Sequence, residues 1–170
     1  MFLNYLKGVV AKKIVKKRLS DSYAAQTVDK IRIIGILTDE VFADKLPQLI
    51  SELTRYGIEQ ANIRSLVLVS KATADVGFPA YSIKDLNWNG TLDSENSQPI
   101  LSPHLDLLIN YYVDEKASLI AASETSKARF KVGFASVDKR LNHLIIDSPI
   151  ENPSLFVSEL FRYLKILNRI

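Results

Sequence analysis

The chain has 170 residues, enough for one domain with a sizeable core, and its hydrophobic content of 47% and charged content of 24% are typical of a soluble globular protein. It contains no cysteine, which excludes disulfides, thiolate nucleophiles and cysteine-based metal or iron–sulfur sites. The first twenty residues carry six basic residues and no acid, so the remainder, with 16 basic and 19 acidic residues, is slightly acidic despite a total charge of +3. We therefore expect no broad nucleic-acid-binding face, and no segment approaches the about 20 apolar residues of a membrane span.

Residues 1–24 are predicted to form a basic amphipathic helix, which a polar linker joins to a single α/β domain at residues 30–170. Leu3, Leu6, Val10 and Ile14 recur at helical spacing, with Phe2 beside them. Three roles stay open for this apolar stripe: docking on the domain, dimerisation, or binding to an anionic membrane surface with the help of the lysines. Phe2, Leu6 and Val10 are accordingly candidate interaction residues.

Short apolar runs alternate with helical patterns along the rest of the chain. Strands are expected at 31–37, 64–70, 105–111, 129–134 and 144–147, with a shorter one at 81–83. Helices are expected to begin at Asp39, at Asp114 and at Asn152, the last followed by a proline suited to a first helical turn. The longer runs lack polar alternation, which indicates strands buried on both faces. The pattern predicts a three-layer, Rossmann-like α/β domain with a mostly parallel sheet of five or six strands.

The sequence lacks the motifs of several common nucleotide-binding and metal-binding sites. The six glycines stand at least 13 residues apart, so neither the dinucleotide-binding fingerprint nor a Walker A loop is present. The strand–helix turns LTDE and NYYVDE also place acids at helix amino ends, where a phosphate would bind. His104 and His143 lack partners at metal-ligand spacing. We expect no metal and no cofactor.

Four residues are candidates for ligand binding because parallel sheets bind ligands at the carboxyl ends of their strands. Asp39 follows the first predicted strand, Lys71 follows the second, and Asn110 and Tyr111 end the fourth. Asp39 could act as an acid or base, Lys71 could pair an anion, and Asn110 could bind a hydroxyl or amide. The alternatives are a helix cap for Asp39, a solvated Lys71 and a packing role for Tyr111.

The long turn-rich segment 72–104 contains the only tryptophan, in the motif Asn87-Trp88-Asn89-Gly90. Ordered loops of this length are often functional. Trp88 could be a stacking platform for a sugar or base, an anchor for a protein interface, or a side chain that pins the loop to the domain.

A set of short motifs resembles a known group of proteins. Ile34-Gly35-Ile36-Leu37, Trp88-Asn89-Gly90, the strand from Asp106 to Tyr112, and Lys131-Val132-Gly133-Phe134, together with the basic helix, resemble a family of small uncharacterised Bacteroidota proteins with a domain of unknown function. This resemblance implies a bacterial source and a cytoplasmic location, but no activity. Residues 106–134 alone are similar to the N-terminal half of heptosyltransferase-like glycosyltransferases, whose second half this chain has no room for.

These features favour a non-enzymatic binding or interaction module, with a homodimer or another protein as the partner. One alternative is an enzyme or ligand-binding domain for a small polar molecule, such as a sugar or nucleotide derivative, at the strand ends. A further alternative is a peripheral adaptor that uses the N-terminal helix at the inner membrane surface.

Overall fold

The fold is seen in a computed structural model that describes residues 1–19, 30–92, 94–101 and 104–170. Its centre is a six-stranded, all-parallel sheet in the order β3-β2-β1-β4-β5-β6. The strands are β1 (Ile34–Asp39), β2 (Ile63–Val69), β3 (Ala80–Ser82), β4 (Leu107–Tyr111), β5 (Phe130–Phe134) and β6 (Leu144–Ile146). The helices are α1 (Phe2–Arg18), α2 (Leu46–Arg55), α3 (Gln98–Leu101), α4 (Ala117–Thr125) and α5 (Pro153–Ile166). This confirms the three-layer α/β prediction.

Helices cover both faces of the sheet. On one face α2 and α5 pack over an apolar cluster that includes Leu49, Ile109 and Phe156. On the other face α1, α3 and α4 pack over a second cluster that includes Leu37 and Leu119. The chain changes faces between β1, which leads to α2, and β4, which leads to α4, so the crevice where such folds bind ligands lies beyond these two strand ends.

The first strand starts later than predicted. The expected start was residue 31, whereas β1 begins at Ile34. The backbone N–H groups of Arg32 and Ile33 donate to Oδ2 of Asp106 at 2.9 Å instead of joining a sheet ladder. The helix expected after β1 begins as a 3-10 turn, Glu40–Lys45, and continues as α2.

The helix after β4 also starts later than predicted. The expected first residue was Asp114, but α4 begins at Ala117 with Lys116 at its N-cap position and no acid in its first turn. Glu115 contacts α1 instead: Lys16 Nζ lies 2.5 Å from its Oε2, and Lys12 Nζ donates to its carbonyl at 2.6 Å. Glu115 therefore binds the N-terminal helix instead of capping α4.

Helix α1 docks on the domain, but with a different face from the one its apolar stripe suggested. Ala11 and Val15 are fully buried, and Leu19 is nearly so, within the cluster that also holds Leu119. The stripe residues Leu3, Leu6 and Val10 stay exposed, and Ile14 is only partly buried. The predicted helix end at residue 24 and the polar linker fall in 20–29, outside the described residues, and the division into arm and domain stays a prediction.

Candidate functional site

Asp39 is a buried link between β1 and the amino end of α4. Its side chain is nearly inaccessible, and its Oδ1 accepts from the backbone N–H of Val41 at 3.0 Å. Its Oδ2 lies 2.5 Å from Nζ of Lys116. Asp39 thus caps the 3-10 turn, as the cap alternative suggested, and its charge is balanced by an ion pair.

Asn110 lies in a buried polar cluster next to the sheet. Its Nδ2 donates to Ser123 Oγ at 2.9 Å and to Asn142 Oδ1 at 2.7 Å. Gly133 makes room for this cluster, since a Cβ there would lie 2.6 Å from Asn142 Nδ2. The amide nitrogen of Asn110 is therefore occupied by internal hydrogen bonds that hold β4, α4 and the segment after β5 together, while its Oδ1 has no partner among the described residues.

Tyr111 points to the opposite face. Its hydroxyl donates to the Ile150 carbonyl at 2.5 Å, and its ring packs edge-on against Phe134 and Phe156. Burial raises the pKa of Tyr111 well above its ordinary value. These contacts match the packing alternative.

The structure does not bring the four predicted ligand-binding residues into one cavity. Lys71 is exposed, while Asp39, Asn110 and Tyr111 are buried with internal partners. Three of the cavities between the described residues have none of the four in their lining. Their role in ligand binding stays a prediction.

A cleft opens instead between α1 and the carboxyl edge of the sheet. It has a volume of about 440 Å³, and its walls are mostly apolar. We call it the α1 cleft, and its lining is Asn4, Tyr5, Gly8, Val9, Lys12, Glu40, Leu68, Val69, Ser70, Ile83, Lys116, Ala117 and Ser118. Size and lining are those of a small-molecule site, close to the β1–β4 crossover.

Sequence reasoning missed the α1 cleft because one wall belongs to a helix whose inner face could not be assigned. The one available signal was Gly8, an isolated glycine inside a helical pattern. A Cβ at Gly8 would lie 3.9 Å from Ile83 Cδ1 and 4.0 Å from Ala117 Cβ, so this glycine faces the opposite wall.

The charged groups around the α1 cleft are held in place by hydrogen bonds. Glu40 accepts from the Ser70 backbone N–H at 3.1 Å and from the Ser70 hydroxyl, and these bonds hold the pKa of Glu40 below its ordinary value. Burial raises the pKa of Glu115, but the hydrogen bond and charge of Lys16 and the charge of Lys12 outweigh burial and lower that pKa. Both glutamates are therefore ionised at neutral pH.

The side of α1 that faces away from the domain is apolar in its first half. Phe2 is 74% exposed, Leu3 68% and Val9 48%, and Leu6 and Val10 are exposed to a similar degree as Val9. We call these five residues the outward face; Val9, at its edge, also lines the α1 cleft. Lys13 and Lys17, one and two turns beyond Val10, are also exposed.

Trp88 lies at the tip of a turn beside the other end of α1. Asn87 N–H donates to the Thr91 carbonyl at 2.8 Å, and Arg18 donates to the Asn89 carbonyl at 3.0 Å. Trp88 is 48% exposed, and the hydrogen bonds of the turn come from its backbone and from the side chains of Asn89 and Thr91. Its proposed interface role stays a prediction.

Within residues 1–19, 30–92, 94–101 and 104–170, no group of three or more histidines or acids is placed to hold a metal ion. In the same part of the chain, no helix is long and apolar enough to cross a membrane.

The chain matches the sequence model of a family of unknown function, DUF6913, over residues 7–167. It belongs to this family. The match begins within α1 and ends just beyond α5, so it includes most of the α1 cleft lining and the whole sheet. No curated protein and no solved structure matches the chain. The family carries no activity to transfer, and the Bacteroidota source and the likeness to heptosyltransferases stay predictions.

Proposed function

We propose that this protein is a non-enzymatic interaction module that binds an anionic membrane surface through the outward face of α1. The observation that carries the proposal is the orientation of α1. The helix docks through Ala11 and Val15, and it leaves five apolar residues of its first half in solvent. Contiguous exposed apolar residues of this kind usually mark an interaction surface.

Charge complementarity favours anionic lipid as the partner. Lys13 and Lys17 extend the outward face with exposed positive charge. Each basic side chain that reaches an anionic headgroup layer contributes about 1 kcal/mol, while apolar side chains such as Phe2 and Leu3 enter the interface. The remainder of the chain is slightly acidic, which directs α1 rather than the rest of the molecule towards the lipid.

A second copy of the chain fits the outward face less well. Self-association through this face would bring Lys13 and Lys17 of two helices into one interface, where no acid of α1 is available to neutralise them. Like charges in an interface cost free energy, whereas lipid phosphates neutralise them.

Vesicle co-sedimentation of the full chain tests the proposal. We expect vesicles of phosphatidylcholine with phosphatidylglycerol to retain the protein at low salt, and vesicles of phosphatidylcholine alone to retain much less. Leu3→Asp should weaken retention by more than about tenfold, since it removes an apolar side chain that would enter the lipid and adds a charge that anionic lipid repels. Val41→Asp is the matched control, because Val41 is as exposed as Leu3, at 66%, but belongs to the 3-10 turn and not to α1.

Two results would overturn the proposal. One is a failure of anionic vesicles to retain the wild-type chain at low salt. The other is a concentration-dependent dimer in sedimentation velocity that Leu3→Asp abolishes, without retention by vesicles, which would assign the outward face to self-association.

A further inference from the structure

A second cavity, of about 560 Å³, lies between the carboxyl ends of α1 and α4 and the start of β5. It is larger than the α1 cleft and separate from it, since the two share no lining residue. Segment 124–129 forms one wall and segment 140–143 forms another. Of the described residues that line it, one is acidic, Glu124, and five are cationic. We call it the basic cavity, and its five cations are Arg18, Lys127, Arg129, Lys131 and Arg140.

Carboxylates outside the lining neutralise two of these five cations. Asp138 Oδ2 lies 2.7 Å from Nη2 of Arg140, and Asp106 Oδ1 lies 3.9 Å from Nη1 of Arg129. For the other three cations, no carboxylate of the described residues lies within ion-pair distance. Five cations against these two carboxylates and Glu124 leave two net positive charges around the basic cavity.

Lys131 is the second observation that points to an anionic ligand. It is the one cation of the lining that is partly buried, while the other four are exposed. Its Nζ donates to the Ser123 carbonyl in the last turn of α4, and a helix end carries only about half a negative charge. Burial lowers the pKa of Lys131 to about 8, and the charge of Glu124 offsets this only in part. An ammonium that is withdrawn from water without a paired carboxylate costs free energy, and a bound anion would offset that cost.

We infer that the basic cavity binds a small soluble molecule that carries a phosphate monoester group. A phosphate monoester loses its second proton at a pH of about 6 and is a dianion at neutral pH, which matches the two net positive charges. Its oxygens accept charge-assisted hydrogen bonds from ammonium and guanidinium groups. Thr91 and Thr125 add hydroxyl groups to the lining, which suits a polar carbon skeleton such as that of a sugar.

Isothermal titration calorimetry of the full chain tests this inference with glycerol 3-phosphate, dimethyl phosphate and glycerol. We expect glycerol 3-phosphate to bind, dimethyl phosphate to bind about tenfold more weakly because this diester has one negative charge, and glycerol not to bind. Equal affinity for glycerol 3-phosphate and dimethyl phosphate would overturn the dianion assignment. An absence of glycerol 3-phosphate binding at millimolar concentrations would overturn the inference as a whole.

Two variants test the location. Lys127→Ala removes an exposed cation that forms no ion pair with the described residues, and Lys131→Met replaces the partly buried ammonium with an apolar side chain. Each should weaken glycerol 3-phosphate binding about tenfold. Lys165→Ala is the matched control and should bind as the wild type does, because Lys165 is an exposed lysine of α5, on the other face of the sheet. Wild-type affinity in either cavity variant would overturn the location, and Lys127→Ala decides if Lys131→Met does not fold.

A lipid headgroup is another source of phosphate, and vesicle binding separates the two sources. The basic cavity contains no residue of the outward face, so Lys127→Ala should leave retention on the anionic vesicles unchanged. A parallel loss of vesicle retention and glycerol 3-phosphate binding in Lys127→Ala would assign the basic cavity to lipid headgroups and overturn the soluble ligand. Membrane binding by the outward face and phosphate binding by the basic cavity can therefore fail independently.

Discussion

Replacing Gly90 with alanine should destabilise the protein by about 3 kcal/mol, because two separate costs add at this position. Gly90 has a φ of +80°, and a left-handed backbone costs an L-residue such as alanine about 1–2 kcal/mol. The added Cβ would also lie 2.6 Å from Cγ2 of Val15, which is fully buried and stiff at χ1. Overpacking of this kind costs about 1–3 kcal/mol.

Gly77→Ala is the matched control for this prediction. Gly77 has a φ of +70°, but a Cβ there meets no atom within 4 Å, so only the backbone cost of about 1–2 kcal/mol applies. Urea unfolding followed by far-ultraviolet circular dichroism gives both free energies of unfolding. Equal losses in the two variants would mean that α1 is not seated against the 87–91 turn, and the orientation of α1 would be wrong.

Three further variants probe the helix, the buried tyrosine and the buried lysine. Gly8→Ala should stabilise the chain by about 1 kcal/mol in urea unfolding, because the new Cβ meets Ile83 at an ordinary 3.9 Å and alanine favours the helix; a loss would contradict the α1 packing. Tyr111→Phe should cost about 1 kcal/mol or somewhat more, because the Ile150 carbonyl loses its buried donor, and an unchanged urea midpoint would contradict that bond. Burial lowers the pKa of Lys131 from 10.5 to about 8, so between these pH values the unfolded chain keeps a proton that the folded chain has lost. Wild-type stability should therefore rise from pH 8 towards pH 10, and Lys131→Met should lack that rise.

The sheet could be predicted from the sequence because its strands are buried on both faces and read as short apolar runs between polar segments. Strand positions were correct to within three residues, and the largest error, at β1, has a local cause. Asp106 binds the backbone before Ile34, and this carboxylate is 73 residues away from Ile33 in the sequence. A contact of that sequence separation leaves no trace in local periodicity.

The orientation of α1 could not be predicted, because the helix is apolar on more than one side. Periodicity selected Leu3, Leu6 and Val10, the larger side chains, whereas the domain accepts the smaller Ala11 together with Val15. The small side chain of Ala11 allows the backbone of α1 to pack closely on the domain, where its main neighbour is α4. The α1 cleft depends on that orientation, so it too was out of reach of sequence reasoning.

The start of α4 shows the same limitation at a single residue. Glu115 is an acid of the kind that favours the first turn of a helix, but it is bound by two lysines that lie about 100 residues earlier. Likewise Asn110 and Tyr111 were correctly placed at a strand end, yet both side chains form hydrogen bonds inside the protein.

The most direct test of the proposed membrane role uses the absence of cysteine from the chain. A single cysteine is placed at Leu3 or at Val41, two apolar residues with nearly equal exposure of 68% and 66%, and labelled with an environment-sensitive fluorophore. On addition of anionic vesicles, we predict a blue shift and a rise in intensity for the label at position 3 and no change for the label at position 41. An unchanged spectrum at position 3 would contradict the claim that the outward face of α1 binds the membrane.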